Sequence, residues 1–135
     1  MREQAVQGVA AALECAAERG ADPGETFWDD YFARSPEAAE RMSHMDEHMR
    51  GRMLASVYDL LLIEDADEEQ AFLDFEIGNH DAYGARAPMY VALFAALTDA
   101  VRGCCAEDWN SAWERAWQAR TERLLEVIGG VSGAT

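Results

Sequence analysis

Apolar residues recur along the chain at intervals of three and four, the spacing of one face of an α-helix. Val6, Val9, Leu13 and Ala16 or Ala17 form a first stripe, which Gly20 closes. Asp22-Pro23 is a cap-like pair that opens a second helix carrying Phe27, Trp28, Tyr31 and Phe32 and stopping before Pro36. A third segment runs from about Glu47 to Ile63, with Met49, Met53, Val57, Leu60 and Leu61 at its apolar positions. The acidic stretch from Glu64 to Glu69 reads as a solvated link and the start of the next helix. That helix carries Phe72, Phe75 and His80 and ends at Gly84. Pro88 opens a helix with Tyr90, Phe94, Leu97 and Val101 at spacings of 4, 3 and 4. The last helix has Trp109, Trp113, Trp117, Leu124 and Ile128, and the small residues from Gly129 onward form a frayed tail. Strand-like alternation is missing. The expectation is an all-α chain of six to seven helices, with residues 1–135 forming one domain.

Composition narrows the picture further. The 135 residues are half apolar, enough for a buried core and too many for a disordered chain. The formal net charge is −15, and all 11 basic residues are Arg. Such a surface repels phosphate backbones and anionic lipid heads, so neither nucleic acid nor a membrane is expected as partner. The three cysteines, Cys15, Cys104 and Cys105, include no CxxC pair and make no disulfide framework. No apolar run is read as reaching the roughly 18 residues of a membrane span, and no cleavable signal pattern stands at the N-terminus. The expected place is a reducing cytoplasm.

The stretch Ile77-Gly78-Asn79-His80-Asp81-Ala82-Tyr83-Gly84-Ala85-Arg86-Ala87-Pro88-Met89-Tyr90 sets a His one turn before a Gly, late in a helix, with a Tyr opening the next helix. It resembles the proximal segment of bacterial globins, where His, three residues, Gly, five residues and Tyr recur in that order. Ala112-Trp113-Glu114-Arg115-Ala116-Trp117 resembles the Ala-Trp, two residues, Ala-Tyr pattern of the final globin helix. Phe27-Trp28-Asp29-Asp30-Tyr31-Phe32-Ala33-Arg34-Ser35-Pro36-Glu37 resembles the second globin helix. The three segments fall in register over nearly the whole chain. The resemblance is closest to single-domain bacterial haemoglobins and the globin part of flavohaemoglobins.

This resemblance implies a globin-like fold around a haem b pocket, with His80 as axial ligand of the iron. It places Trp28, Met42, Met49, Met53, Phe75 and Tyr90 around the haem. Tyr90 would hold the imidazole or a nearby carbonyl by a hydrogen bond. The implied function is binding of a diatomic ligand (oxygen, nitric oxide or carbon monoxide) as carrier, scavenger or sensor. A separate reductase would be needed for turnover of nitric oxide or peroxide.

The sequence also departs from the family. Met42 stands where a Phe usually stacks on the haem, Met49 falls near the usual distal His or Gln, and Ile128 stands where the bacterial group carries a Glu. Met42, Met45, Met49 and Met53 share one helical face if their helix starts early. The expected distal wall is soft and apolar, with the Trp28 indole as its only donor. These departures keep open a haem-free globin-fold regulatory or interaction domain.

Other groups carry weaker chemistry. His44-Met45-Asp46-Glu47-His48 matches H-x-x-E-H, in which two His on one helix face could hold zinc. A peptidase needs a third ligand and a cleft besides. Two surface His beside the Met face is the plainer reading, and a His reaching the haem edge or iron is a third. The acidic run lacks the Gly and ligand spacing of a calcium loop. Cys104-Cys105 reads as two buried thiols, and the Trp109, Trp113 and Trp117 stripe as core.

Overall fold

The structure is a computed structural model. It describes the backbone of residues 2–82 and 87–132 and the side chains of residues 3–75 and 88–129. Seven α-helices follow in order: α1 (Arg2–Glu18), α2 (Gly24–Arg34), α3 (Pro36–Arg41), α4 (Glu47–Leu61), α5 (Ala66–Ala82), α6 (Ala87–Cys105) and α7 (Ser111–Ser132). A single 3-10 turn, Ala106–Asp108, joins the last two. No strand occurs among the described residues, and the chain is all-α.

Local chemistry explains the boundaries. Gly20 leaves α1 in the left-handed region at φ 70°, where a Cβ is unfavourable. The Ala21 amide then donates to the Ala16 carbonyl and the Gly20 amide to that of Ala17, both at 3.0 Å. Ser35, Asp46, Asp65 and Asn110 each accept an amide three residues on, at 3.2, 2.8, 2.9 and 2.9 Å, and so cap the starts of α3, α4, α5 and α7. Pro36 at the first position of α3 needs no amide partner. Thus the Pro that ends one helix opens another, a short helix the apolar pattern alone does not reveal.

The packing pairs α1 with α7, α2 with α6, and α6 with both α1 and α7, while α5 lies along α7. Helix α6 is central and buried on most sides through Leu93, Phe94, Ala96, Leu97, Ala100 and Val101. Residues Pro88–Asp108 are long and apolar enough to cross a membrane by length and composition, contrary to the sequence expectation. Half of that segment is buried inside the protein, as befits a core helix. Arg34 of α2 donates to Asp99 of α6 and to Asp30 of its own helix, tying the edge of that pair.

The α1–α7 contact is the closest approach. A Cβ built on Gly8 would stand 2.4 Å from the Ala116 Cβ, far inside van der Waals contact. Gly8→Ala should therefore destabilise by roughly 1–2 kcal/mol, overpacking outweighing the helix-propensity gain of about 1 kcal/mol. Adding Ala116→Gly exchanges the two residues across the contact and should restore most of the loss. Urea unfolding of the two single variants and the double variant measures this coupling; additive losses would place the cost elsewhere.

Candidate functional site: an apolar cavity under α4

Helix α4 differs from the others. Among the described residues it makes no close backbone packing along its length with any other helix. It spans a cavity of about 850 Å3, within the range of small-molecule and cofactor sites. Met49 and Met53 of α4 face Phe72 and Leu73 of α5 and Met89, Tyr90, Leu93 and Phe94 of α6 across that space, with Ile128 of α7 also on the wall. Tyr31 of α2 closes one side. Exposed Arg41, His44 and Arg52 stand on the same wall. Arg41 pairs with Glu37 at 3.3 Å, whereas Arg52 makes no ion pair among the described residues.

A buried ion pair holds the far end of α4. Arg120 and Glu69 expose only 1% and 2% of their side chains and meet at 2.8 Å. Arg120 Nε donates to the Leu61 carbonyl at 3.0 Å, and Nη2 donates to those of Leu60 and Ile63 at 2.8 and 3.1 Å. These are carbonyls at the end of α4, which no further helical turn can satisfy. One guanidinium thus fastens α4 to α5 and α7 beside the cavity. It lies on the buried stripe Ala116, Trp117, Arg120, Leu124 and Ile128, so a charge at a core register position was its visible sign in the sequence.

Four of the residues singled out from the sequence, Met42, Met49, Met53 and Tyr90, stand around this cavity. The early helix start needed to put the methionines on one face does not occur. Asp46, extended at φ −83° and ψ 178°, caps α4, and the helix begins at Glu47. Met42 and Met45 come instead from the turn after α3, yet they converge on the same space. Ile128 keeps its part of the wall apolar.

Two residues are placed otherwise. Trp28 is not on the cavity wall; it packs against Phe27 and Phe32, with the Arg50 guanidinium 6.0 Å from its ring. Tyr31 takes the wall in its place, because α2 is rotated to bury Phe27 and Tyr31 against α6. Phe75 is 73% exposed. Glu69 fixes the rotation of α5, with Phe72 and Leu73 on the inward face, and Phe75 then lies about 120° away at 100° per residue. His80 is on the backbone of α5, and its side chain lies outside the described residues. Gly84 lies outside them altogether.

Tyr31 is the residue that the sequence pattern passes over. Burial, and secondarily the neighbouring Tyr90, push its hydroxyl well above the usual phenol range, so it stays protonated and able to donate at any physiological pH. Its aromatic spacing marks it as core but does not say that the core is hollow there.

The zinc pattern does not assemble. His44 sits in the turn before the Asp46 cap and His48 in the first turn of α4, so the two do not share a helix face. No group of three or more His, Cys, Asp or Glu able to hold a metal ion occurs among the described residues.

No family model, curated protein or solved structure matches the chain.

Proposed function

We propose that the chain is a haem-binding globin-like protein that takes a diatomic ligand at an iron held by His80. The observation that carries this reading is the cavity itself. It is large, walled by apolar side chains of α4, α5, α6 and α7, and carries exposed Arg41, His44 and Arg52 on its wall. Haem asks for that combination: an apolar slot for the ring and cations for its two carboxylates. His80 follows Leu73, a wall residue, by about two turns on the same helix.

Haem, when bound, supplies the iron that coordinates the gas. The chain supplies the rest. Met42, Met45, Met49 and Met53 exclude water and adapt to a flat ring. Tyr31 brings a hydroxyl donor to the α2 wall, where it would serve a haem ligand that accepts a hydrogen bond. A cytoplasmic location and a separate reductase for any turnover belong to the same reading.

Titration with haemin tests it. A sharp Soret band that saturates at one haem per chain supports the reading. The broad band of free haemin alone would leave the cavity to a haem-free regulatory or interaction domain. In the haem-loaded ferrous protein, Tyr31→Phe should speed oxygen dissociation by about 10–100-fold, the value of a hydrogen bond of about 1–3 kcal/mol in a dry site. Carbon monoxide dissociation should change far less. Stopped-flow measurement checks both, and an effect confined to Trp28→Phe would move the donor role to the indole.

A further inference from the structure

Two thiols meet where the ends of α1 and α6 come together, away from the cavity. Cys105 is fully buried, and its Sγ donates to the Ala12 carbonyl at 3.3 Å. Cys15, about one turn further along α1, is half-buried, and the Cys105–Ala12 contact sets the two thiols on neighbouring parts of the α1–α6 seam. Its own Sγ points to Asp108 Oδ2 at 3.7 Å, and Arg19 holds that carboxylate at 2.8 Å. Cys104 is in a different setting. It lies on the wall of a polar cleft of about 480 Å3, beside Asp22 and Glu25. Burial and those two carboxylates push its thiol upward and disfavour its thiolate.

We propose that Cys15 and Cys105 are a peroxide-oxidisable dithiol that closes into a disulfide joining α1 to α6. The inference does not depend on the haem reading. Cys15 reacts first, because it is the more accessible of the two, with Arg19 held beside it on the Asp108 carboxylate to offset developing negative charge. The Cys15 sulfur attacks one oxygen of hydrogen peroxide, the O–O bond breaks, and the departing hydroxide takes the thiol proton to leave as water. Cys15 is then a sulfenic acid. The Cys105 sulfur attacks the Cys15 sulfur, the S–O bond breaks, and the second hydroxide leaves as water with the Cys105 proton. Two thiols are oxidised and one peroxide is reduced to two waters. Cys105 suits the second role: burial pushes its thiol up to about 12, so it is a poor first nucleophile and waits next to the sulfur it must attack. A dithiol reductant of the cytoplasmic class would reverse the bond.

Treatment of the full-length protein with stoichiometric hydrogen peroxide tests the proposal. Free thiols counted in denaturant should fall from three to about one, and return with dithiothreitol. Tryptic mapping should link the peptide Glu3–Arg19 to the peptide Gly103–Arg115. That link should persist in Cys104→Ser and vanish in Cys105→Ser and Cys15→Ser. Cys104→Ser leaves both packed thiols in place, so the mapping stands even where replacing the buried Cys105 prevents folding. A link lost in Cys104→Ser would assign the bond to Cys104 and overturn the proposal. Sulfinic acid at Cys15 without a cross-link, or a disulfide between two chains, would overturn it equally.

Discussion

Arg120→Met is expected to lower the free energy of unfolding by about 3–5 kcal/mol and the melting temperature by roughly 10–20 °C. The guanidinium is buried, pairs with Glu69 and serves the carbonyls of Leu60, Leu61 and Ile63. Met matches its length and supplies none of its donors. The variant would bury a carboxylate that has lost its buried partner, with the exposed Arg123 3.8 Å away. It would also leave the end of α4 uncapped. Glu69→Gln should cost less, because the three carbonyl bonds survive it. Adding Glu69→Leu to Arg120→Met should recover part of the loss by removing the stranded charge. Chemical denaturation followed by circular dichroism measures all three. A loss below about 1 kcal/mol for Arg120→Met would mean that the carbonyls find other partners.

His80→Ala is expected to remove the sharp Soret band of the haemin-loaded protein, weakening haemin binding by at least about 100-fold. That exceeds the 10–100-fold typical of losing a residue that merely supports a ligand. The haem reading gives His80 the one strong bond from protein to iron, while the cavity walls contribute burial. Added imidazole should restore the band, since it can enter the space left by the truncated side chain. An unchanged spectrum would assign the iron to His44, His48 or Met49, of which His44 and Met49 stand on the cavity wall.

Most of the helices were legible because their apolar residues recur at helical spacing and several have side-chain caps. Gly20 and the Asp22-Pro23 pair mark ends that hydrogen bonds then realise. Phe75 shows the limit of that logic. It shares the helical spacing of Phe72, yet the Glu69 contact turns α5 so that Phe75 faces outward. Trp28 and Tyr31 are one turn apart on α2, and spacing alone does not tell which of them meets the cavity. Resemblance favoured Trp28, whereas packing of α2 on α6 turned Tyr31 inward.

By itself, the sequence determined that the chain is all-α and where most of its helices begin and end. These are consequences of local periodicity and capping, which act within a few residues. The tertiary structure alone decided that Met42 and Met45, off the helix, join Met49 and Met53 around one cavity, and that Arg120 fastens α4 from below. It also decided that Cys105 meets the turn of α1 that carries Ala12 and Cys15, 90 positions earlier in the chain. Each of these depends on which faces of distant helices meet. That is set by the summed fit of the whole core, and no local pattern encodes it.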